Sequence, residues 1–285
     1  MAIDVLQERI RKLKNPTVVD LTLEVCDLPP RFTGASGYGA FCREILTALK
    51  GVVPAVRVGF TAFSVLGADG MTALREVLDA AAQMGYYVIL DAPELLSAQA
   101  AEQAAGVLGA EDCGFAWNGL VLPAYGGSDV IRPFAKLTKN GKALFPVVRT
   151  ANRSAAELQD LLSGNRLVHV AAADIISRVG EDFPGKFGYN QIGALAAASS
   201  ADSLRSLRTK YPKLFLLLDG FDYPNANAKN CSFAFDKLGH GAAACGGSCI
   251  AAAWQEDAEA GDYLEKARQG AERMKKNLTR YITVL

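Results

Sequence analysis

The apolar positions of this chain fall into short runs rich in Val, Ile and Leu, each followed by a turn and then by a stretch with apolar residues at three- and four-residue spacing. Runs of the first kind mark strands covered on both faces, and stretches of the second kind mark helices packed along one side. Eight such runs stand in order: Thr17–Leu23, Val52–Gly59, Tyr86–Asp91, Gly119–Pro123, Ala143–Arg149, Gln191–Ala196, Leu214–Asp219 and Gly241–Cys245. Helical patterns separate or follow them over Ala40–Lys50, Gly70–Met84, Ser97–Leu108, Ser128–Lys136, Ala155–Gly180 with a break near Gly164, Ser203–Lys210, Ser232–Leu238 and Asp257–Arg280. Gly51 and Gly85 sit where helix C-terminal glycines belong, and Ser154 with Glu157 has the spacing of a capping box.

Strand and helix in alternation require right-handed crossovers and a parallel sheet, and eight strands suffice to close it. The expected fold is α/β, a (β/α)8 TIM barrel built as a single domain over residues 1–285, with residues 1–14 a charged amphipathic leading helix. An open doubly wound sheet is the competitor, and no glycine fingerprint follows the first strand to favour dinucleotide binding. No repeat of 20 to 50 residues is visible, which excludes a solenoid.

Composition narrows the partners more than the fold. Half the residues are hydrophobic and 21% are charged, as in ordinary globular chains. Lys+Arg and Asp+Glu both total 30, so no basic field exists to attract nucleic acid or a membrane surface. No apolar stretch reaches the roughly 20 residues that span a bilayer, and the opening reads as a helix and not a secretion signal; a cytoplasmic protein with a small-molecule ligand is expected. The six cysteines are scattered and expected to be reduced; Cys245 and Cys249, with His240 nearby, offer too few ligands for a zinc site.

In a barrel the chemistry belongs at the carboxyl ends of the strands. Those positions are Thr22 and Glu24, Arg57, Asp91 and Glu94, Pro123 and Tyr125, Arg149 with Asn152, Ser199 and Ser200, Asp219 and Asp222, and Gly246, Gly247 and Ser248. Arg57 emerges from an apolar run where a guanidinium is costly unless it meets a carboxylate or an anionic ligand, and Asp91 is the natural partner. The pair reads equally as an internal tie between strands and as part of a binding site. As a tie, it predicts that Asp91→Ala costs roughly 3 kcal/mol by leaving Arg57 buried and unpaired.

Asp219 and Asp222, with Asp91 and Glu94, make the mouth acidic, which favours a metal, an amine or a polyol over a phosphate. Against this, the Gly-Gly-Ser at 246–248 can present N–H groups to an anion, or can simply be a tight turn. His169 reads as a core or surface histidine within a long helix, and no Ser-His-Asp set can be assigned.

These segments resemble the orotidine 5′-phosphate decarboxylase family, in particular its longer bacterial branch, over nearly the whole chain. The resemblance is carried by LQERIRKLKNPTVVDLTLE, VVPAVRVGFTAFSVLGADGMTAL, VILDAPELLSAQAAEQA, PAYGGSDVIRPF and LLLDGFDYP in order, and most specifically by TANRSAAELQDL, which is similar to the family's T-S-N-P and its helix. It implies a barrel that forms a homodimer, and decarboxylation of orotidine monophosphate to UMP and CO2 in pyrimidine biosynthesis, without metal or cofactor. A Lys-Asp-Lys-Asp array would drive the reaction, its second lysine protonating the carbanion.

Position by position, most of that array is altered. Arg57 stands at the first lysine, Asp91 keeps the first aspartate, and Pro93 and Leu96 replace the second lysine and aspartate. Thr22 stands at the ribose-contacting aspartate, Pro224 at the phosphate-loop glutamine and Ser248 at the phosphate-gripping arginine. The expected site is therefore catalytic positions Arg57 and Asp91, ligand-binding positions Thr22, Asn152, Asp219, Asp222, Gly247 and Ser248, and no metal. Three readings follow: an authentic decarboxylase; a different enzyme using Asp91, Asp219, Asp222 and Glu94 for a metal or for acid/base work, with Arg57 or Arg149 on an anionic substrate; and a noncatalytic paralogue with its mouth plugged by Leu95, Leu96, Phe221 and Tyr223.

Overall fold

A computed structural model describes residues 2–93, 97–110, 112–257 and 262–285. Eight parallel strands close a barrel: β1 (Thr17–Asp20), β2 (Ala55–Gly59), β3 (Tyr87–Asp91), β4 (Gly119–Pro123), β5 (Ala143–Val147), β6 (Ala194–Ala197), β7 (Leu216–Asp219) and β8 (Ala242–Gly246). β1 pairs with both β2 and β8, which shuts the ring. The (β/α)8 expectation holds, and each sequence run contains its strand or overlaps it.

Strand ends differ for local reasons. β2 starts at Ala55 because Val52 still belongs to the turn after the preceding helix, its N–H donating to Leu49 O. β1 stops at Asp20 and not at Leu23, a difference that matters for the site.

Inward-facing side chains from alternate positions, among them Val18, Ile89, Val121, Phe145 and Leu217, fill the barrel. The leading helix, Ala2–Leu13, closes the amino-terminal end by burying Ile3, Leu6 and Ile10 against them. Three such side chains contribute roughly 1.5–3 kcal/mol each. Its Ile3 N–H donates to Gln191 Oε1 and its Gln7 Oε1 accepts from Gly241 N–H, which fixes its seat. Outward-facing residues such as Val19, Val56, Val88 and Leu216 form the second core, under the surrounding helices.

Gly51 and Gly85 have positive φ, as their helix-terminating role requires. The long helix read over Ala155–Gly180 is corrected: a one-turn helix, Ala156–Gln159, is followed by an antiparallel ribbon, Leu162–Ser163 with Arg166–Leu167, and then by the helix Val168–Gly180. Gly164, at φ 67°, makes the ribbon's turn. The Ser154 capping box does not form; Ser154 Oγ instead accepts from Asn152 Nδ2. The helix read over Ser232–Leu238 lies earlier, at Ala228–Ser232, capped by Asn227. The last helix runs over Tyr263–Thr279, capped by Asp262.

Candidate active site

Period-two alternation sends every second strand residue into the barrel, and at its carboxyl end five of these come from adjacent strands. They are Asp20 on β1, Arg57 on β2, Asp91 on β3, Asp219 on β7 and Cys245 on β8. Asp20 pairs in register with Arg57, and Gly59 with Asp91, so the charges meet at one level. Arg57 donates to Asp20 Oδ2 at 3.0 Å, to Asp91 Oδ2 at 2.7 Å, and also to Asp219 Oδ1. Asp20, Arg57 and Asp91 are only 6–7% exposed.

One guanidinium cannot neutralise three carboxylates, and the titration behaviour reflects the deficit. Burial pulls Arg57 down, but the three carboxylates outweigh it and hold the guanidinium well above its ordinary value. Burial pushes Asp91 up, Arg57 opposes, and neighbouring Asp20 and Asp219 add to the rise, leaving it at about 6. Asp20 is raised by the same causes. Desolvation wins for the acids because their shared cation is already divided. Asp91 Oδ1 and Arg57 Nε are buried without a hydrogen-bond partner among the described residues.

Above the cluster opens a cavity of about 480 Å3. Among the described residues six carboxylates line it, from Asp20, Glu24, Asp27, Asp91, Asp219 and Asp222, against the single guanidinium of Arg57. Thr22, Gly247 and Ser248 also line it. Thr22 donates its hydroxyl and its N–H to Asp20 Oδ1. Asn152 does not line the cavity; it is exposed and hydrogen-bonded to Ser154. Pro93 is exposed in the turn after β3, and Glu94, Leu95 and Leu96 lie outside the described residues. Tyr223 and Pro224 stand at the rim, and Phe221 packs against the outer core.

The Gly-Gly-Ser turn does present its N–H groups to an anion, and the anion is the protein's own. Asp222 Oδ2 accepts from Gly247 N–H at 2.7 Å and its Oδ1 from Cys249 N–H at 3.2 Å. The local Gly-Gly-Ser pattern fits cradle and turn alike, and carries no sign of the residue 25 positions earlier that fills it.

The ion-pair expectation was right about Arg57 and Asp91 but incomplete. Asp20 was missed because extending β1 to Leu23 put Thr22 at the strand end; alternation from Val18, which faces inward, would have found it. With Asp20 and Asp219 also on Arg57, removing Asp91 does not leave an unpaired cation, so the roughly 3 kcal/mol cost expected for Asp91→Ala loses its basis.

Arg149 is not free to meet a substrate: it grips Asp160 through two bonds, at 3.0 and 2.8 Å. Those bonds lower the Asp160 pKa and raise that of Arg149. A serine, a histidine and an aspartate do come together, but outside the cavity lining. His169 Nδ1 lies 3.1 Å from Asp160 Oδ1, and Ser203 Oγ lies 3.3 Å from His169 Nε2. Asp160 is committed to Arg149, and Ser203 and His169 are buried, so the file acts as a clasp that ties the loop after β5 to two helices. His240, before β8, bonds Leu285 O, whereas Cys245 sits near the strand's far end, so the two cannot share a metal. Among the described residues no group of His, Cys, Asp or Glu is arranged to hold a metal ion.

This geometry can be set beside known proteins. The chain is 31% identical over 213 residues to the orotidine 5′-phosphate decarboxylase of Rhodopirellula baltica, covering 73% of this chain and 70% of that protein. It belongs to the orotidine 5′-phosphate decarboxylase family. The family enzyme of Clostridium botulinum is 25% identical over 285 residues, which takes in 98% of this chain and 99% of the relative. In three dimensions, the OMP decarboxylase of Leishmania donovani superposes with a TM-score of 0.75 at 23% identity over 98% of both chains, which bears on the fold alone. No protein-family model matches the chain.

Proposed function

We propose that this member of the decarboxylase family is a noncatalytic paralogue, a barrel that keeps the family frame and does not decarboxylate orotidine monophosphate. The observation that carries the reading is Asp222: its carboxylate takes the N–H groups of Gly247 and Cys249, beside Ser248, where the resemblance puts the phosphate-gripping arginine. A phosphate arriving there meets a negative charge in its seat. Each like charge about 4 Å away costs roughly 1 kcal/mol in water and about 4 kcal/mol in a poorly solvated site.

The proton supply points the same way. The reaction needs a cation that can surrender a proton to the pyrimidine carbanion. Arg57 is held well above its ordinary pKa by its carboxylates, and Pro93, at the family's second lysine, has no proton to give. The six-carboxylate mouth would also oppose a nucleotide's approach.

A second reading rests on Asp91, which lines the cavity with its Oδ1 unpartnered among the described residues and whose burial raises it to about 6, near neutral pH. It supports acid/base chemistry on a substrate without a phosphate, with Asp91 as the proton carrier. We also propose a homodimer, as the resemblance implies; exposed Val65, Leu66 and Val107 offer apolar surface for it, and sedimentation velocity checks it.

Calorimetry with UMP tests the primary reading, with the R. baltica relative as positive control. No heat of binding is expected for this chain below about 1 mM, a barely specific affinity. A micromolar Kd would overturn the reading.

A further inference from the structure

The charge deficit of the cavity has a chemical answer, resting on the reading that the site no longer receives an anionic nucleotide. We propose that the cavity is a receptor for a small organic cation carrying primary ammonium groups, seated against Asp219 and Asp91 and covered by the ring of Tyr223.

Three independent features point to this class. The first is an acceptor that lacks its donor: Asp91, only 6% exposed and a lining residue of the cavity, spends Oδ2 on Arg57 and leaves its buried Oδ1 with no partner among the described residues. Buried carboxylate oxygens are ordinarily satisfied, and an orphan at a cavity marks where a donor is missing. The second is the uneven use of Asp219, which gives Arg57 one oxygen and keeps Oδ2 without a hydrogen bond among the described residues. The third is Tyr223 at the rim, half-exposed, with its ring available to cover a cation.

The same features argue against other occupants. A divalent metal needs several uncommitted oxygens, but Asp20, Asp91 and Asp219 each give one to Arg57, whose own positive charge repels a dication. Asp222 spends both oxygens on backbone N–H groups. An ammonium needs only two or three acceptors, and the cavity of about 480 Å3 lies within the range of small-molecule sites.

Binding should be linked to a proton. Asp91 faces Arg57 on β2, Asp20 on β1, Asp219 on β7 and Cys245 on β8, and of these only Arg57 is cationic. A cationic ligand favours the ionised form of Asp91, so affinity falls as pH drops below about 6.

The probe is 1,4-diaminobutane, titrated calorimetrically into the full chain, with 1,4-butanediol as neutral isostere and magnesium chloride as the metal alone. The diamine is expected to bind at least tenfold more tightly than the diol, and more weakly at pH 5 than at pH 7.5. Asp219→Asn and the surface substitution Tyr223→Ala should each weaken it several-fold, the latter without touching the buried cluster. Absence of diamine binding, equal binding of magnesium or of the diol, or unchanged affinity in both variants would overturn the inference. A chain that binds neither UMP nor the diamine refutes this inference alone; one that binds UMP refutes the reading beneath it.

Discussion

Replacing Arg57 by methionine withdraws the guanidinium shared by Asp20, Asp91 and Asp219 while keeping much of the side chain's bulk. Two of its contacts measure 2.7 and 3.0 Å, between side chains that are 8–10% exposed. At an effective dielectric near 20, a unit pair about 4 Å apart is worth roughly 4 kcal/mol, and desolvation of the ions offsets much of that. Stranding the carboxylates without a cation costs about 3–5 kcal/mol when they are ionised. Protons can stand in for the guanidinium. Asp91 already sits at about 6 with Arg57 beside it, and loss of Arg57 removes the influence that lowers Asp91 and Asp20, so both rise further. The variant's deficit is therefore expected in full at pH 8 and to shrink toward pH 5. Urea denaturation followed by circular dichroism at both pH values measures it. Equal stability of variant and wild type at pH 8, or a deficit of the same size at both, would refute the reasoning.

Other predictions bear on separate parts of the account. The folded pKa of Asp91, about 6 against 3.8, gives stability that is complete below about pH 4 and lost as pH rises through 6, about 3 kcal/mol in all. Asp91→Asn should flatten that part of the pH profile, and an unchanged slope in denaturation would contradict it. Asp160→Ala removes the carboxylate shared by Arg149 and His169 and should cost about 1 kcal/mol after allowance for its partial exposure, visible as a lowered Tm. Gly220 has φ 72°, and a Cβ there would overlap Ala151 and crowd Tyr223; Gly220→Ala should destabilise by roughly 1–3 kcal/mol, and a neutral melting temperature would count against the loop geometry.

The fold was legible because a barrel writes itself locally: each buried parallel strand is a short apolar run, and each crossover helix carries its own periodicity. Three of the four charges in the cluster were legible for the same reason, since Arg57, Asp91 and Asp219 interrupt or close apolar runs where a charge needs an explanation. Asp20 escaped because the run TVVDLTL does not show where β1 stops. The contacts of Asp222 with Gly247 and Cys249, and of Asp160 and Ser203 with His169, join loops and helices that only the folded chain brings together, and no local pattern announces them. The ribbon at Leu162–Leu167 was hidden by helix-like spacing on both sides, with Gly164 as its one local sign.

We propose that replacement of the proton donor and occupation of the phosphate seat by Asp222 have removed the family's reaction from this chain. Single-turnover conversion of orotidine monophosphate, with purified protein in excess and release of CO2 followed directly, tests it without depending on product release. No release above the uncatalysed background is expected, whereas the R. baltica relative, run in parallel as the control, is expected to release it. Release of CO2 in proportion to protein, abolished by Asp91→Ala, would contradict it.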